Sequence, residues 1–210
     1  MKICPVCSKK NSDHFSCIED KIYYRCNKCK AIYLDHRNHL TNQDERKRYE
    51  LHNNDIYDER YREFLSKLHD PIIEKIEKGA KGLDYGCGPG PALALMFKEE
   101  NFSMDIYDPY FFPDNSFLNK KYDFVTCSEA AEHFLQPLQE FKKIDQILVK
   151  GGWFGLMTNI YDDSICFEDW YYRKDPTHVV FYSFETIKAL ATLMSWNYER
   201  QENNVVLFQK

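Results

Sequence analysis

The chain has 210 residues, of which 43% are hydrophobic, and this is enough for one medium-sized domain with a small appendage. Its formal net charge is −5, but residues 1–50 hold 11 basic and 7 acidic side chains, so the acidity lies in the rest of the chain. An acidic body argues against a nucleic-acid backbone as the main ligand, and no apolar run approaches the roughly 20 residues that cross a bilayer.

The N-terminal stretch MKICPVCSKK lacks the apolar segment and small-residue cleavage site of a signal peptide. We therefore expect a cytoplasmic protein whose eight cysteines are thiols or metal ligands rather than disulfides. Two Cys-x-x-Cys pairs occur here, Cys4 with Cys7 and Cys26 with Cys29. Each pair can place two thiolates on one turn, and two facing turns would supply the four soft ligands that suit tetrahedral Zn²⁺.

Short strands are expected at residues 22–25 and 31–34, on either side of the second pair. A head of about 40 residues is too small to build a core alone, so we expect a metal ion to stabilise it by cross-linking the chain. We predict a structural zinc ion bound by all four cysteines, with a redox pair or chance spacing as the alternative. The segment CPVC…YRCNKCKAIYLD resembles a zinc ribbon, which we assign to residues 1–40.

Residues 41–69 are highly charged and contain neither glycine nor proline, which indicates a helical connector with a solvated face. Its apolar residues recur at spacings of three to four: Tyr57, Tyr61, Phe64, Leu65 and Leu68. Asp70 is predicted to cap a further helix, with Pro71 in its first turn and Gly79 at its end. An alternative role for Tyr57 and Tyr61 is to cover a cofactor pocket.

The stretch LDYGCGPGPALALMF, from Leu83, predicts a buried strand, a glycine-rich turn and a helix. At such a turn a ligand can approach bare backbone. A dinucleotide fingerprint would need a third glycine where Pro91 stands. The pattern is instead D-x-G-x-G-x-G, from Asp84 through Gly90, and it resembles the first motif of the class I S-adenosylmethionine (SAM)-dependent methyltransferases.

In that family the turn wraps the methionine part of SAM, and an acidic residue after the second strand holds the ribose hydroxyls. Asp108 ends the predicted strand FSMDIYDPY and fits this role, because a carboxylate can accept hydrogen bonds from a vicinal diol. The alternative for Asp108 is a turn-initiating residue before Pro109. The resemblance implies the following cofactor-binding residues: Asp84, Gly86, Cys87, Gly88, Gly90, Asp108, Pro109, Ser128 and Glu129.

The resemblance covers about residues 70–210, as one SAM-dependent methyltransferase domain. It implies an α/β fold, with a doubly wound, mostly parallel Rossmann-like sheet and an antiparallel C-terminal strand, here with Asn203 and Asn204 at a hairpin turn. Only 13 residues separate Asp108 from Tyr122, too few for a helix and a strand, so we expect the third strand to be missing. The aromatic residues 110–112 would then either stack on adenine or cover the sheet edge.

Catalytic candidates should follow the carboxyl ends of the strands, where open α/β sheets bind ligands. This rule selects Ser128, Glu129, Glu132 and His133 after the fourth strand, and Asn159–His178 after the fifth. Within that stretch we expect Cys166–His178 to form a lid over the acceptor, with Trp170, Tyr171 and Tyr172 as its aromatic surface or, alternatively, as core packing. We name His178, Glu129 and His133 as catalytic candidates. His178 would either take a proton from the acceptor or shape the loop, and Arg173 would pair with an anionic acceptor.

The sequence therefore predicts methyl transfer from SAM to a small or medium-sized acceptor, such as a phenol or quinone, a sugar or a lipid-linked glycan. The first alternative is an RNA methyltransferase whose zinc ribbon grips RNA. The second is a catalytically inactive SAM-binding protein whose zinc ribbon serves as an interaction module.

Overall fold

The structure is a computed structural model that describes residues 1–51, 55–202 and 204–210. The described residues form two six-stranded sheets. The head and the connector contain β1 (Lys2–Ile3), β2 (Lys10–Ile18), β3 (Lys21–Cys26), β4 (Ile32–Leu34), α1 (Asn42–Tyr49) and α2 (Glu59–Ile73). The two strands predicted around the second cysteine pair are thus present as β3 and β4, and β1 and β2 are additional strands.

The second sheet begins at β5 (Lys81–Tyr85) and forms the centre of the body. The remaining elements are α3 (Ala92–Glu99), β6 (Ser103–Tyr107), β7 (Tyr122–Ser128), α4 (Pro137–Ile147), β8 (Leu148–Met157), β9 (Ile160–Tyr161), β10 (Val180–Ser183), α5 (Phe184–Met194), β11 (Asn197–Arg200) and β12 (Val205–Gln209). The strand order is β11-β12-β8-β7-β5-β6. Strands β6, β5, β7 and β8 are parallel, whereas β12 is antiparallel to both β8 and β11. This is the doubly wound sheet with an antiparallel C-terminal strand that the resemblance implied.

The predicted loss of the third strand is confirmed, since β6 lies at the edge of the sheet. Residues 109–121, all of them described, form a turn closed by a bridge between Asp108 and Phe112, followed by a 3₁₀ helix at Asn115–Asn119. Phe117 from this helix is buried and packs against the Tyr85 and Tyr107 rings. The short crossover therefore covers the sheet edge with a single 3₁₀ turn.

Helix α2 differs from the prediction because it runs without a break through Pro71. Its N-cap is Asp58, whose carboxylate accepts from the amides of Arg60 and Tyr61, so Asp70 caps nothing and the proposed boundary at 69/70 falls inside a helix. A Cβ on Gly155 of β8 would come within 2.8 Å of Leu68 Cδ1, so the glycine lets α2 lie directly on the sheet. This packing explains why the helix tolerates an internal proline.

The first sheet joins the head to the body, since its order is β1-β2-β3-β4-β10-β9. Strand β4 pairs antiparallel with β10, and the Leu34 amide donates to the Val179 carbonyl at 2.9 Å. One continuous cluster of buried side chains extends from the four cysteines of the head to β7, β8 and α5. The predicted hairpin turn lies partly outside the described residues, because it includes Asn203. Among the helices that the structure describes, none is long and apolar enough to cross a membrane.

Candidate active site

A cavity of about 1050 Å³ opens at the carboxyl ends of the parallel strands. Its lining includes twelve residues proposed from the sequence: Tyr61, Asp84, Gly86, Cys87, Gly88, Gly90, Asp108, Pro109, Ser128, Glu129, His133 and His178. Tyr57 lies outside this lining and is 70% exposed. It precedes the N-cap of α2 and so does not share the helix face of Tyr61, which corrects its predicted contact with the cofactor.

The glycine turn after β5 has the backbone that the sequence predicts. Gly86 and Gly88 have positive φ angles of 82° and 63°, which glycine adopts without strain. A Cβ on Gly86 would lie 2.6 Å from the Ala130 Cβ, so the turn also needs a bare backbone where it meets the loop after β7. The amides of Gly86 and Cys87 are directed at the Tyr107 carbonyl, at 2.8 and 3.2 Å, which fixes the turn against the end of β6.

The Asp108 carboxylate lies between this turn and the aromatic loop. Its Oδ2 accepts from the Gly88 amide at 3.0 Å, and its Oδ1 accepts from the Tyr110 and Phe111 amides at 2.8 and 3.1 Å. A carboxylate has about four acceptor positions, and these three amides occupy three of them. About one position therefore remains for a ribose hydroxyl, on Oδ2. Asp108 therefore also initiates the turn that the alternative assigned to it. Tyr110 and Phe111 line the cavity, while Phe112 does not.

Asp84 lies under the glycine turn and is almost completely buried. Burial raises the pKa of its carboxyl group to about 7, although Thr126 Oγ1 donates a hydrogen bond to it at 3.0 Å. Burial raises the pKa of Tyr61 to about 12, and the neighbouring Asp84 adds to this shift. A cationic ligand at this end of the cavity would favour the ionised form of the Asp84 carboxyl group and be attracted to it.

Ser128 ends β7 and Glu129 follows it, and both residues line the cavity. Glu129 has a positive φ of 47°, which is strained for a residue with a side chain, and its amide donates to the Met157 carbonyl at 2.8 Å. Burial, together with the nearby charge of Glu132, raises the pKa of the Glu129 carboxyl group. The surrounding structure thus holds a strained residue, whose carboxyl group has a raised pKa, in the lining of the cavity.

The other end of the cavity is formed by His133, His178 and Glu132. The two imidazole rings meet edge to face, with centroids 4.7 Å apart. Glu132 is completely buried, and its Oε1 lies 3.9 Å from His133 Nε2 and 4.0 Å from His178 Nε2. Burial lowers the pKa of His178. The structure therefore brings together two catalytic candidates from separate loops, with Glu132 between them.

The long loop 166–178 differs in part from its predicted role as a lid. Trp170 is only 8% exposed and packs against Phe167 and Phe181, so it belongs to the core rather than to the acceptor surface. Arg173 is also buried, and its guanidinium group donates to the Glu168 carbonyl, which corrects its predicted pairing with an anionic acceptor. The loop residues that line the cavity are Tyr171, Tyr172, Lys174, Asp175 and His178.

Helix α1 closes the cavity, although its charge run suggested a solvated face. Glu45 is buried and accepts hydrogen bonds from Tyr49 at 2.7 Å and from Tyr110 at 2.6 Å. Arg48 forms an ion pair with Asp175 of the long loop at 2.9 Å. The sequence contained one signal of this role, the spacing of four between Glu45 and Tyr49, which places both on one side of a helix.

The four cysteines of the head form a second, separate site. All four are buried, their sulfur atoms lie within 4.8 Å of one another, and the pairs Cys4–Cys29 and Cys7–Cys26 are separated by 3.6 Å. These separations are far longer than a disulfide bond of about 2.05 Å. They are close to the roughly 3.8 Å expected between sulfurs of a tetrahedral site with Zn–S bonds of about 2.3 Å. The cluster is thus compatible with the predicted zinc ribbon.

Several solved structures share the fold of this chain. A candidate sarcosine dimethylglycine methyltransferase from Galdieria sulphuraria is 19% identical, with a TM-score of 0.53 over 75% of this chain and 76% of its own. A methyltransferase candidate from Haloferax volcanii, solved in complex with the activator Trm112, is 12% identical, with a TM-score of 0.52 over 73% and 94%. The mitomycin 7-O-methyltransferase MmcR is 13% identical, with a TM-score of 0.52 over 73% and 57%.

Sequence comparisons identify the family directly. No curated protein sequence matches the chain significantly. Residues 57–199, about two thirds of the chain, match the sequence model of a methyltransferase domain. This match spans the glycine turn, Asp108 and the whole cavity-bearing sheet except its last strand. The chain therefore belongs to the methyltransferase domain family and is a SAM-dependent methyltransferase.

Proposed function

We propose that the protein methylates a small or medium-sized acceptor, such as a phenol or quinone, a sugar or a glycan. The observation that carries this proposal is the single cavity that joins the glycine turn to the pair formed by His133 and His178. Its volume of about 1050 Å³ is at the upper end of the roughly 300–1,000 Å³ typical of sites for one drug-sized ligand. Such a volume suits SAM together with a small acceptor.

The cofactor would occupy the acidic end of this cavity. Its sulfonium and amino groups are cationic, and the carboxyl groups of Asp84 and Asp108 line this end. The glycine turn, with Cys87 and Gly90, would contact the methionine part, and Asp108 would accept a hydrogen bond from the ribose. Pro109 and Ser128 would border the base, while Tyr61 would cover the cofactor from α2. Tyr110 and Phe111 supply aromatic surface where the missing third strand would otherwise contribute contacts.

The acceptor would occupy the opposite end, between α1 and the long loop. We propose that Glu129, His133 and His178 contact it and assist the loss of its proton, because these three side chains face one space from two different loops. Methyl transfer from a sulfonium depends mainly on holding the nucleophile in line in a dry pocket. The ion pair between Arg48 and Asp175 connects the two elements that would exclude water.

We further propose that Cys4, Cys7, Cys26 and Cys29 bind one structural Zn²⁺. Four protein ligands close the coordination sphere and leave no position for a substrate. The thiolates would need a reducing compartment, which is consistent with a cytoplasmic location. The role of this ion would be to hold the head that pairs with β10.

The experiment is a screen for conversion of SAM to S-adenosylhomocysteine in the presence of fractionated metabolites. We expect turnover with at least one fraction of phenolic, sugar or glycan-type compounds, and at least tenfold slower turnover by the His178→Ala variant. Calorimetry with SAM and with NADH is run in parallel. Binding of NADH without binding of SAM would overturn the cofactor assignment, and turnover with bulk RNA alone would overturn the acceptor class.

A further inference from the structure

We propose that Glu132, His133 and His178 form a second metal site, for a divalent transition-metal ion such as Zn²⁺. One potential ligand atom from each side chain lies within 4.8 Å of the other two, and all three residues line the cavity. Two imidazoles and one carboxylate are a common ligand set for such ions. This site is distinct from the cysteine cluster in both place and chemistry.

The orientation of the two rings favours metal binding. His133 Nδ1 lies 3.1 Å from the Thr177 carbonyl, and His178 Nδ1 lies 2.7 Å from the Tyr172 carbonyl. Because a carbonyl can only accept, each neutral ring carries its proton on Nδ1 and its lone pair on Nε2. Metal-ligating histidines usually have this arrangement, in which a hydrogen bond from the second nitrogen fixes the tautomer.

The carboxylate of Glu132 supplies an independent argument. Its Oε2 accepts a hydrogen bond from Thr158 Oγ1 at 2.9 Å, but its Oε1 has no hydrogen-bond partner among the described residues. The side chain is completely buried, and an unpartnered carboxylate oxygen is costly in such surroundings. Both Nε2 atoms are too distant for a hydrogen bond to Oε1, at 3.9 and 4.0 Å. A cation placed between these three atoms would satisfy the carboxylate.

The two histidine nitrogens would have to move only slightly closer to Glu132 Oε1 to bind an ion together with it. Ligand atoms about 2.0–2.1 Å from a tetrahedral ion lie about 3.4 Å apart, so the 3.9 and 4.0 Å separations from Glu132 Oε1 to the two Nε2 atoms would need to contract by roughly 0.5 Å. Glu132 follows β7 in a short 3₁₀ helix, and the Val179 amide donates to its carbonyl at 2.9 Å. This hydrogen bond holds the two ligand-bearing segments beside each other.

The site would be open toward the acceptor, and this step rests on the proposed function. Three protein ligands leave at least one coordination position, and all three line the cavity. A bound ion lowers the pKa of a hydroxyl that ligates it. The hydroxyl proton would pass to Glu129, which lines the same cavity and does not ligate the ion, and the oxygen would then form a bond to the SAM methyl carbon while sulfur keeps the electron pair of the broken bond. The acceptor would thus be one whose reacting hydroxyl can ligate a metal ion.

Cobalt(II) provides a test that does not depend on activity, because thiolate-bound cobalt has charge-transfer bands that imidazole and carboxylate ligands do not give. Purified protein with a loaded head is titrated with Co²⁺ and followed by calorimetry and absorption. We expect calorimetry to show that the protein binds one equivalent of Co²⁺ in addition to the ion of the head, and the absorption spectrum to show no new thiolate charge-transfer bands. Glu132→Gln and His178→Ala should bind this equivalent at least tenfold more weakly, whereas Glu140→Gln, which changes another cavity carboxylate, should bind it normally.

A second measurement, of thermal stability, distinguishes loss of metal binding from misfolding of a variant. Saturating Zn²⁺ should raise the Tm of the wild type and of Glu140→Gln, but not that of Glu132→Gln or His178→Ala. The inference fails if the wild type binds no second equivalent below millimolar concentration, or if both cluster variants retain it. SAM affinity is measured on the same samples. Normal SAM binding without a second ion would refute the metal site alone, while absence of SAM binding would refute the proposed function.

Discussion

The Gly88 amide donates a 3.0 Å hydrogen bond to Asp108 Oδ2, and this contact connects the turn after β5 to the end of β6. The other carboxylate oxygen of Asp108 accepts from two amides of the aromatic loop. One side chain therefore organises both the glycine turn and the loop that replaces the third strand. Because the protein's own amides hold this carboxylate, little ordering of the backbone is needed when SAM binds.

The first prediction concerns this carboxylate. Asp108→Ala should weaken SAM binding by about 1.5–3 kcal/mol, the range for hydrogen bonds to charged groups, which is roughly 10- to 150-fold in Kd. Calorimetry measures this directly. Asp114→Ala is the matched control, since Asp114 also caps a turn, accepting from the Ser116 amide at 2.8 Å, but lies outside the cavity. An unchanged Kd for Asp108→Ala would remove Asp108 from the cofactor site.

The second prediction compares two tyrosines that the sequence treated alike. Tyr61 lines the cavity, whereas Tyr57 is exposed and lies before α2 begins. Tyr61→Ala should raise the Kd for SAM roughly fivefold, the equivalent of about 1 kcal/mol of lost aromatic contact. Tyr57→Ala should leave it unchanged and serves as the control. Equal effects in the two variants would show that the connector rearranges when SAM binds.

Local patterns predicted the body of the protein well. The glycine turn, Asp108 and the edge position of β6 all follow from residues that are close together in the sequence, where periodicity, turn chemistry and loop length act directly. Chain length alone was sufficient to predict the loss of the third strand, because 13 residues are too few for a helix and a strand of ordinary length.

The errors came from contacts between distant parts of the chain. Pro71 indicated a new helix, but packing of α2 on Gly155 outweighed this local preference. The charge run predicted a solvated Glu45, but this side chain accepts a hydrogen bond from Tyr110, which lies 65 residues away in the sequence. Trp170 looked like an acceptor surface because its partner Phe181 could not be identified from spacing. None of these tertiary neighbours is encoded in a local pattern.

The third prediction uses the raised pKa of Asp84. An unfolded aspartate has a pKa near 3.9, and the folded value is about 7, so the folded state binds more protons between these values. Stability should therefore decrease as the pH rises from about 4 to about 7 and then level off. Asp84→Asn lacks this titration, so its stability relative to that of the wild type should be at least about 1 kcal/mol higher at pH 8 than at pH 5, since one pKa unit is worth about 1.4 kcal/mol.

Urea unfolding without SAM, at pH 5 and pH 8, measures this difference. Asp105→Asn is the control for a carboxylate that is partly exposed, because the pKa of Asp105 is lowered by its contacts with Lys120 and Tyr122. The ionised form of Asp105 stabilises the folded state, so Asp105→Asn should not be more stable than the wild type at pH 8. A parallel pH dependence in the wild type and Asp84→Asn would mean that Asp84 is ionised when folded.

The fourth prediction separates core from surface within the long loop. Trp170 is buried against Tyr161, Phe167 and Phe181, and truncation of such a side chain leaves a cavity. Trp170→Ala should lower the free energy of unfolding by about 3–5 kcal/mol. Tyr171→Phe should change it by less than about 0.5 kcal/mol, because Tyr171 is 68% exposed and loses only one hydrogen bond, to Asn159. Similar stabilities for both variants would place Trp170 at the surface.

The last prediction concerns the ion proposed for the head. Strand β4 pairs with β10 directly after the long loop, and Thr186 Oγ1 donates to the Cys29 carbonyl at 2.9 Å. Phe15 and Tyr23 of the head also pack against Phe167. The head thus supports the segment that carries His178. The glycine turn and Asp108, in contrast, depend on β5 and β6 of the other sheet.

Loss of the ion should therefore affect the two ends of the cavity differently. Cys26→Ser removes one thiolate and is preferable to a chelator, which would also remove an ion held by Glu132. We expect the SAM Kd to change less than threefold, methyl transfer to fall at least tenfold, about 1.4 kcal/mol of barrier, and amide exchange to increase in residues 166–180. Cys17→Ser is the control, since Cys17 is an exposed thiol of β2 outside the cysteine cluster. If Cys26→Ser weakens SAM binding as much as methyl transfer, the head stabilises the whole domain, and if it changes neither, the head does not support the loop.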